Sequence, residues 1–292
     1  MVYWRFALLI LVLMPTVAFS RPAINVVVVG GLQLSGFWPR LVAEAEQALD
    51  MDIVTVRAAP KEAIIADFVS GKASLMIIHG GDETHALQGL DYAGPLGTVA
   101  YNEHVIVGPS DDPANLDGVD NAVAAVNALR QSQRALVAFR DPGSYSIMQR
   151  LFKQAKLVPG DLNLLHDMSP APQRILEYAR AQQAYVIVGH IPVAFNKMPS
   201  DGMRVLVQGD PAMRRAYVVV TPGMKHPAKK TERENAERLA AYLLSPAGQR
   251  AVRRAGTTDE GSWIFGREQG PMIDPAAYSL LTHTKADQYL DR

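Results

Sequence analysis

The sequence contains no cysteine among its 292 residues. This absence excludes disulfides, a thiolate nucleophile, a thiolate metal site and a lipid-modified cysteine. An excess of either charge is also missing, because 29 lysines and arginines balance 29 aspartates and glutamates. Nucleic acids and acidic membranes attract proteins that carry a large basic field, so we expect neither as a partner. Whatever this protein binds must be selected by a local site.

Long hydrophobic runs are missing from the sequence after its N terminus. The single run extends from Phe6 to Met14, follows an early arginine and precedes the small residues Ala18 and Ser20. This pattern is typical of a secretory signal peptide, so we expect residues 1–20 to be cleaved. A retained anchor is the alternative, but Pro15 breaks the run, which is short for a bilayer span of about 20 residues. We therefore expect an exported, periplasmic protein that acts as a monomer.

Motifs for metal binding and catalysis are missing too. The seven histidines are dispersed along the chain, without the tight spacing of a zinc pair, so we expect no metal and no cofactor. Neither the Gly-x-Ser-x-Gly elbow of hydrolases nor the G-x-G-x-x-G spacing of dinucleotide loops occurs. If the protein were an enzyme, Asp141 with His190 would be the acid–base pair that we nominate. We expect a binding protein without catalytic residues.

What the sequence does contain is a regular alternation of strand and helix patterns. In its first part, short β-branched runs are predicted as strands at residues 24–29, 52–58 and 73–78, with helices at 37–49 and 62–70. Residues 101–109 form a further extended run. Strands and helices that alternate in this way predict an α/β fold with a parallel sheet and right-handed crossovers.

The alternation then starts a second time. Strands are predicted at residues 135–139, 184–188, 204–208 and 216–221, and helices at 119–132, 147–157, 172–182 and 231–244, the last continuing after Ser245 and Pro246. Two α/β sets with short connections predict two lobes around a cleft, joined by more than one crossing strand. We expect lobe 1 to comprise residues 21–103 and 216–292, and lobe 2 residues 104–215. Residues 263–292 show no periodicity and are predicted as a surface tail packed on lobe 1.

The segment from Arg134 to Lys156 carries the strongest signal for a ligand site. A buried strand pattern, ALVAF, turns into a helix at Pro142 to Ser144, with Arg140 beside the turn. Unpaired amides at a helix N-terminus and a guanidinium group both favour negative charge, so this turn predicts an anion site. The alternative is that Ser144 is only a helix cap and Arg140 a solvated loop charge.

Several segments, in order, resemble the periplasmic tungstate-binding proteins of ABC importers, within the type II class of two-lobed solute-binding proteins. YNEHVIVGPSDDPANL at 101–116 is similar to that family's YND-x-VIVGP-x-DDP segment between the lobes. AERLAAYLLSPAGQRAV at 236–252 is similar to its terminal helix-SP-x-GQ-helix pattern, and AFRDPGSYS at 138–146 resembles its SRGDDSGT loop. The resemblance implies two parallel-rich sheets joined by two crossing strands around a cleft.

The resemblance also implies a function and a set of ligand contacts. A small anion, with a tungstate- or molybdate-like oxyanion as the first candidate, would be captured by cleft closure and delivered to an ABC permease. Arg140, Ser144 and Ser146 stand at the Arg, Ser and Thr positions of the family loop. The other expected contacts follow the predicted strands or the helix start, and they are Gly31, Ser35, Gly36, His79, Gly80 and Tyr145.

The sequence departs from the family pattern in the loops that would face the ligand. The hydroxyl-rich TTTS loop is replaced by Val29-Gly30-Gly31-Leu32, and the GTGQA loop by residues 59–63, which include Pro60. Each unmet donor or acceptor in a dry site costs roughly 1 to 3 kcal/mol, so a different small acidic organic ligand is the alternative. An accessory sensor domain is a further alternative. One basic pair, Arg214 with Arg215 beside the second crossover, is a candidate for reaching the cleft.

Overall fold

The computed structural model describes residues 21–119, 121–259 and 261–271. The predicted signal peptide at 1–20 and the part of the predicted tail from 272 to 292 lie outside the described residues. In the part of the chain that is described, no helix has both the length and the apolar character needed to cross a membrane.

The first set of elements alternates as the sequence predicts. Its order is β1 (Ala23–Val29), α1 (Gly30–Leu34), α2 (Phe37–Leu49), β2 (Asp52–Ala59), α3 (Lys61–Val69), β3 (Leu75–His79) and α4 (Asp82–Gly89). Strand β1 is paired in parallel with β2 on one side and β3 on the other. This central position explains its β-branched run, because a strand with neighbours and helices around it must be apolar on both faces.

The second set begins with a long strand. Its order is β4 (Ala93–Pro109), α5 (Ala122–Gln131), β5 (Ala135–Ala138), α6 (Pro142–Ala155), β6 (Asn163–His166), α7 (Ile175–Ala181), β7 (Tyr185–Gly189), α8 (His190–Ala194) and β8 (Met203–Val207). Strand β5 pairs in parallel with β6 and β7. The set therefore contains a parallel sheet of its own.

The last described elements return to the first set. They are β9 (Arg214–Pro222), α9 (Lys230–Leu244), α10 (Pro246–Gly256), β10 (Thr257–Thr258), β11 (Gly261–Ser262) and β12 (Ile264–Phe265). Short 3-10 helices lie at Pro159–Asp161, Pro172–Arg174, Pro211–Met213 and Arg267–Gln269. Strand β9 pairs antiparallel with both β3 and β4.

Strands β4 and β9 connect the two sets into one mixed sheet. Its strand order is β2-β1-β3-β9-β4-β7-β5-β6, with β8 and β12 paired to β4. Strand β4 pairs with β9 as far as Glu103, and from His104 onward it pairs with β7. Buried apolar residues form one cluster around the first set and two around the second. The predicted α/β class is confirmed, and the predicted lobe boundaries at 103/104 and 215/216 stay a prediction.

Most predicted elements agree with the structure to within two residues at each end, and four show larger differences. Strand β4 begins at Ala93 rather than Tyr101, and α6 begins at Pro142 rather than Ile147. The helix predicted at 119–132 begins only at Ala122, because the Asn121 side chain caps it by accepting from the amide of Ala124. The helix predicted at 172–182 is divided into a 3-10 turn and α7.

The predicted surface tail is also partly corrected. Ile264 is buried, and β12 pairs antiparallel with β4 opposite Asn102 and Tyr101. The first part of that tail is therefore an added strand of the sheet. The sequence could not predict it, because a strand of only two residues has no periodicity.

Candidate functional site

A cavity of about 990 Å³ lies where α4, β4, α6 and β9 meet. Its charged lining is mainly basic, with four cations against two carboxylates. The cations are Lys61, Arg150, Arg214 and Arg215, and the carboxylates are Asp82 and Glu83. A concave site with this balance favours an anionic ligand.

Arg215 on β9 is the cation of the cavity that the protein itself leaves most available. A Cβ built on Gly143 would lie 2.5 Å from its Nη1, and one built on Gly81 would lie 3.9 Å from its Nη2. The guanidinium group thus lies between two glycines that leave room for it. Among the described residues it has no hydrogen bond and no ion pair. Burial lowers the pKa of Arg215, while the nearby charges of Asp141 and Glu83 act in the opposite direction.

Arg150 on α6 is the second cation, and its orientation is fixed. Its Nη1 donates to the carbonyl oxygens of Ala212 at 3.0 Å and Arg214 at 2.8 Å. Burial lowers the pKa of Arg150, and the positive charge of Arg215 lowers it further. Two guanidinium groups that repel each other across a cavity would both be stabilised by an anion placed between them.

Lys61 and Glu83 neutralise each other at another part of the cavity wall. The Lys61 ammonium group donates to the Glu83 carboxylate, and this hydrogen bond is the main cause of the lowered pKa of Glu83. The pair therefore adds little net charge, and the excess positive charge of the cavity comes from the arginines.

Arg214 has a structural role at the cavity edge. Its guanidinium group donates to the carbonyl oxygens of Gln269 and Gly209, and it lies 3.7 Å from the centre of the Phe265 ring. These contacts join β9 to the chain after β12, so Arg214 is largely satisfied by the protein.

At the predicted anion site at the N-terminus of α6, one helix amide already has a partner within the protein. Asp141 is the helix cap, and its Oδ2 accepts from the amide of Ser144 at 2.8 Å. Pro142 has no N–H to offer. Ser144 is buried, and its Oγ has no hydrogen-bond partner among the described residues. Tyr145 and Ser146 do line the cavity. The capping role therefore belongs to Asp141, and an anion site at this turn stays a prediction.

Arg140 does not line the cavity. Its Nη2 donates to the carbonyl oxygen of Ser169 at 2.9 Å, and its Nε lies 3.6 Å from Oδ2 of Asp167. The Asp167 carboxylate is almost fully buried and also accepts from the amide and hydroxyl of Ser169. A buried carboxylate needs a cation, and Arg140 is the one that supplies it here.

The residues predicted after β1 are also used locally. Ser35 donates its hydroxyl to the carbonyl oxygen of Leu32 and its amide to that of Gly31. Gly36 has a φ of 68°, and a Cβ there would lie 2.8 Å from Nη1 of Arg40. A Cβ on Gly31 would face the Tyr217 hydroxyl, and none of the three predicted residues lines the cavity. A glycine is needed at position 36 for the turn between α1 and α2.

The residues predicted at the end of the third strand differ in their position, because Gly80 lines the cavity and His79 does not. Gly80 lines the cavity, although its amide already donates to the carbonyl oxygen of Ala216. The His79 ring stacks on Tyr217, with ring centres 4.3 Å apart. Burial lowers the pKa of His79 well below its ordinary value, and Arg215 adds to this effect. His79 is thus a neutral, buried side chain that packs on Tyr217.

A second buried histidine lies close to the same cation. Burial lowers the pKa of His104 to about 4, and the positive charge of Arg215 is the next contribution. The Nδ1 atoms of His79 and His104 have no hydrogen-bond partner among the residues that the structure describes. Both histidines are therefore uncharged at neutral pH.

Sequence reasoning did not find Arg150, although a signal for it exists. Ser146 and Arg150 are separated by four residues on α6 and therefore lie on the same face of the helix. Once Ser146 is a candidate, the helical spacing indicates Arg150 as its neighbour.

The acid–base pair nominated for an enzyme is not brought together. Nδ1 of His190 lies 3.0 Å from Oε2 of Glu103, and Asp141 is used as the cap of α6. Neither side chain lines the cavity. Within the described ranges, no group of three or more metal-ligating side chains is present.

Comparison with known proteins identifies the family. Residues 26–258 match the model of the bacterial extracellular solute-binding proteins. The chain belongs to this family. A search of curated protein sequences finds no match.

Solved structures share the fold. The tungstate-binding protein TupA from Desulfovibrio alaskensis superposes with a TM-score of 0.65 at 16% identity, covering 84% of this chain and 99% of that one. A tungstate ABC transporter structure from Geobacter sulfurreducens gives a TM-score of 0.60 at 17% identity, covering 80% and 98%. The periplasmic VFT2 domain of BvgS from Bordetella pertussis gives 0.51 at 16%, covering 80% and 93%. The predicted two-lobed binding-protein fold is confirmed.

Proposed function

We propose that this solute-binding protein captures a small anion in the cavity around Arg215 and delivers it to an ABC permease. The observation that carries the proposal is that the guanidinium group of Arg215 borders the cavity and makes no hydrogen bond or ion pair with the described part of the chain. An unpaired, partly buried guanidinium group is unfavourable unless a ligand completes its hydrogen bonds. Arg150 adds positive charge, and the hydroxyl groups of Tyr145 and Ser146 are further donors.

Tungstate or molybdate is the first candidate ligand. Two structures that share the fold are named for tungstate. A tetrahedral oxyanion needs several donors directed to one point, and charge-assisted hydrogen bonds from two arginines meet the largest part of this need.

A small acidic organic molecule is the second candidate, and the size of the cavity favours it. One water takes up about 30 Å³, and a bare oxyanion occupies only a few such volumes. The cavity is far larger than that, and it also presents the rings of Tyr101 and Tyr145.

Capture would proceed by closure of the two predicted lobes, residues 21–103 with 216–292 against residues 104–215. The lobes would move about β4 and β9, the strands that join the two sets. A ligand that contacts both Arg215 and α6 binds the closed form more tightly and shifts the population toward it. The protein would act as a periplasmic monomer after cleavage of its signal peptide.

The proposal is tested by native mass spectrometry of the purified protein, followed by thermal unfolding with tungstate, molybdate, sulfate, phosphate and small carboxylates. A ligand at 100 times its dissociation constant stabilises the protein by about 2.7 kcal/mol, which such a scan detects. If none of these anions changes the unfolding temperature, the proposal is wrong. Conversion of the bound molecule into a product would instead favour an enzyme, and binding without any stimulation of a permease would favour a sensor domain.

A further inference from the structure

The cavity has one wall that lies outside the part of the chain matched by the family. The match ends at residue 258. Residues Ile264–Pro271, here called the strap, follow it. Their first two residues pair with β4, and Pro271 lines the same cavity as Arg215. The binding cavity is therefore formed partly by a segment beyond the shared region.

The strap is held in place by specific contacts. The carbonyl oxygen of Gln269 accepts from Arg214, and the Phe265 ring lies under the same guanidinium group. The amide of Arg267 donates to Oε1 of Gln249 at 3.0 Å. Because these contacts reach β9 and α10, the strap has a defined position at the cavity edge.

The strap also determines where the Tyr101 ring can lie. A Cβ built on Gly270 would be 2.4 Å from Cε2 and Cζ of Tyr101 and 2.7 Å from its hydroxyl oxygen. Real carbon atoms do not approach so closely, so the two residues pack together only because residue 270 is a glycine. Tyr101 lines the cavity as well.

We propose that the strap is a specificity-determining wall of the ligand cavity, which limits the size of the anion that the cavity accepts. The inference rests on the proposed function, because it concerns the same cavity. The basic side of the cavity, with Arg215 and Arg150, recognises negative charge. Tyr101 and Pro271 form an apolar side, and they select among anions by the size and shape of the uncharged part.

The role in selectivity is tested with variants of the full chain that change the strap and replace none of the arginines of the cavity. Gly270→Ala places a methyl group against Tyr101, and Phe265→Leu removes the aromatic face under Arg214. Glu268→Gln is the matched control, since Glu268 pairs with Arg253 on the outer side and does not line the cavity. The dissociation constants for tungstate, phosphate and citrate are measured by calorimetry.

We expect Gly270→Ala to change the affinity for the tightest of the three probes, and the ratio between two probes, by about fivefold or more. Phe265→Leu should change the same ratio by less, and Glu268→Gln should leave it within about twofold. Unfolding without ligand is measured for each variant, so that a folding defect is recognised. Equal ratios in wild type and in both strap variants would overturn the proposal.

The placement of the strap is tested without a ligand. Because the chain has no native cysteine, the pair Gln149→Cys with Pro271→Cys can be cross-linked by a short bismaleimide across the cavity. The control pair is Gln149→Cys with Glu268→Cys. Faster cross-linking of the first pair supports the placement of the strap at the cavity, and equal or slower cross-linking of that pair overturns this placement. A wild type that binds none of the probes while the first pair still cross-links faster would contradict the proposed function and not the placement of the strap.

Discussion

Two arginines lie near the start of α6, and the protein uses them in opposite ways. Arg140 donates to the carbonyl oxygen of Ser169 and lies beside the buried Asp167 carboxylate. The guanidinium group of Arg215 lies against Gly143 and, within the described residues, makes no hydrogen bond or ion pair. Arg140 is paired within the fold, and Arg215 is the arginine that we propose binds the ligand.

The difference shows why a charge beside a helix N-terminus is a weak guide to a ligand site. The Ser144 amide at the start of α6 donates to the Asp141 carboxylate, and the guanidinium group of Arg140 donates to Ser169 and is paired with the Asp167 carboxylate. A paired charge contributes to stability, whereas an unpaired and partly buried one reduces it. Such a destabilising feature is expected where function requires it.

The largest effect that would distinguish the two arginines is on anion affinity. Replacing Arg215 by methionine should weaken the binding of the anion that stabilises the wild type by about 10- to 100-fold, because charged hydrogen bonds contribute roughly 1.5 to 3 kcal/mol. Calorimetric titration gives the affinity. Without ligand, the free energy of unfolding of the variant should equal or exceed that of wild type, because an unpaired, partly buried charge is removed.

The matched control for this variant is Arg130→Met, because Arg130 lies on the exposed last turn of α5, away from the cavity. It should bind the anion as wild type does. A loss of affinity in Arg130→Met as large as in Arg215→Met would show that only the overall charge of the protein matters, and would contradict the local site.

The next effect is a dependence of stability on pH. Burial holds the pKa of His104 at about 4, against 6.5 in the unfolded chain. Between these values the unfolded state binds more protons than the folded state, so stability falls as the pH is lowered through this window. At pH 5, His104 should lower the free energy of unfolding by about 2 kcal/mol relative to neutral pH. His79, whose pKa burial also lowers, acts in the same direction.

This pH dependence extends the comparison, because Arg215 adds to the lowering of both histidine pKa values. Urea unfolding at several pH values should show a shallower loss of stability toward acid in Arg215→Met, and an unchanged loss in Arg140→Met. In His104→Gln, the part of the stability loss toward acid that comes from His104 should be absent. An acid sensitivity of Arg215→Met equal to that of wild type would mean that Arg215 does not act on the histidines.

The smallest effect concerns Arg140. Arg140→Met leaves the Asp167 carboxylate buried without its cation, so the free energy of unfolding should fall by about 1 to 3 kcal/mol. The loss should be near the lower end, since the Arg140 side chain is 45% exposed and solvent screens the pair. Anion affinity should stay within about threefold of wild type. A tenfold loss of affinity in Arg140→Met without a loss of stability would contradict this account and would favour a binding site at the turn predicted from sequence.

The sequence allowed much of the fold to be predicted, and less of the site. The β-branched run of β1 and the spacing of α2 gave correct elements because burial on both faces or on one face leaves a clear pattern. Strand β12 and its pairing with β4 could not be predicted, because two residues carry no periodicity. The pattern does not show which strands become neighbours.

For the site, three predicted residues, Gly80, Tyr145 and Ser146, line the cavity. The sequence indicates which side chains stand near a turn, but not which carboxylate reaches each cation. Asp167 is far from Arg140 along the chain, and their pairing depends on the tertiary fold. The sequence indicated Arg215 only as part of the basic pair with Arg214. Its position against Gly143 depends on how β9 and α6 pack in the tertiary structure.

The most direct test of the account is the position of a bound anion. A crystal of the wild-type protein grown with tungstate, or with molybdate, gives the metal position from its anomalous scattering. The account predicts a peak in the cavity, with the anion's oxygens within hydrogen-bond distance of the Arg215 guanidinium group. A peak at Arg140, or at the turn formed by Ser35 and Gly36, would contradict it.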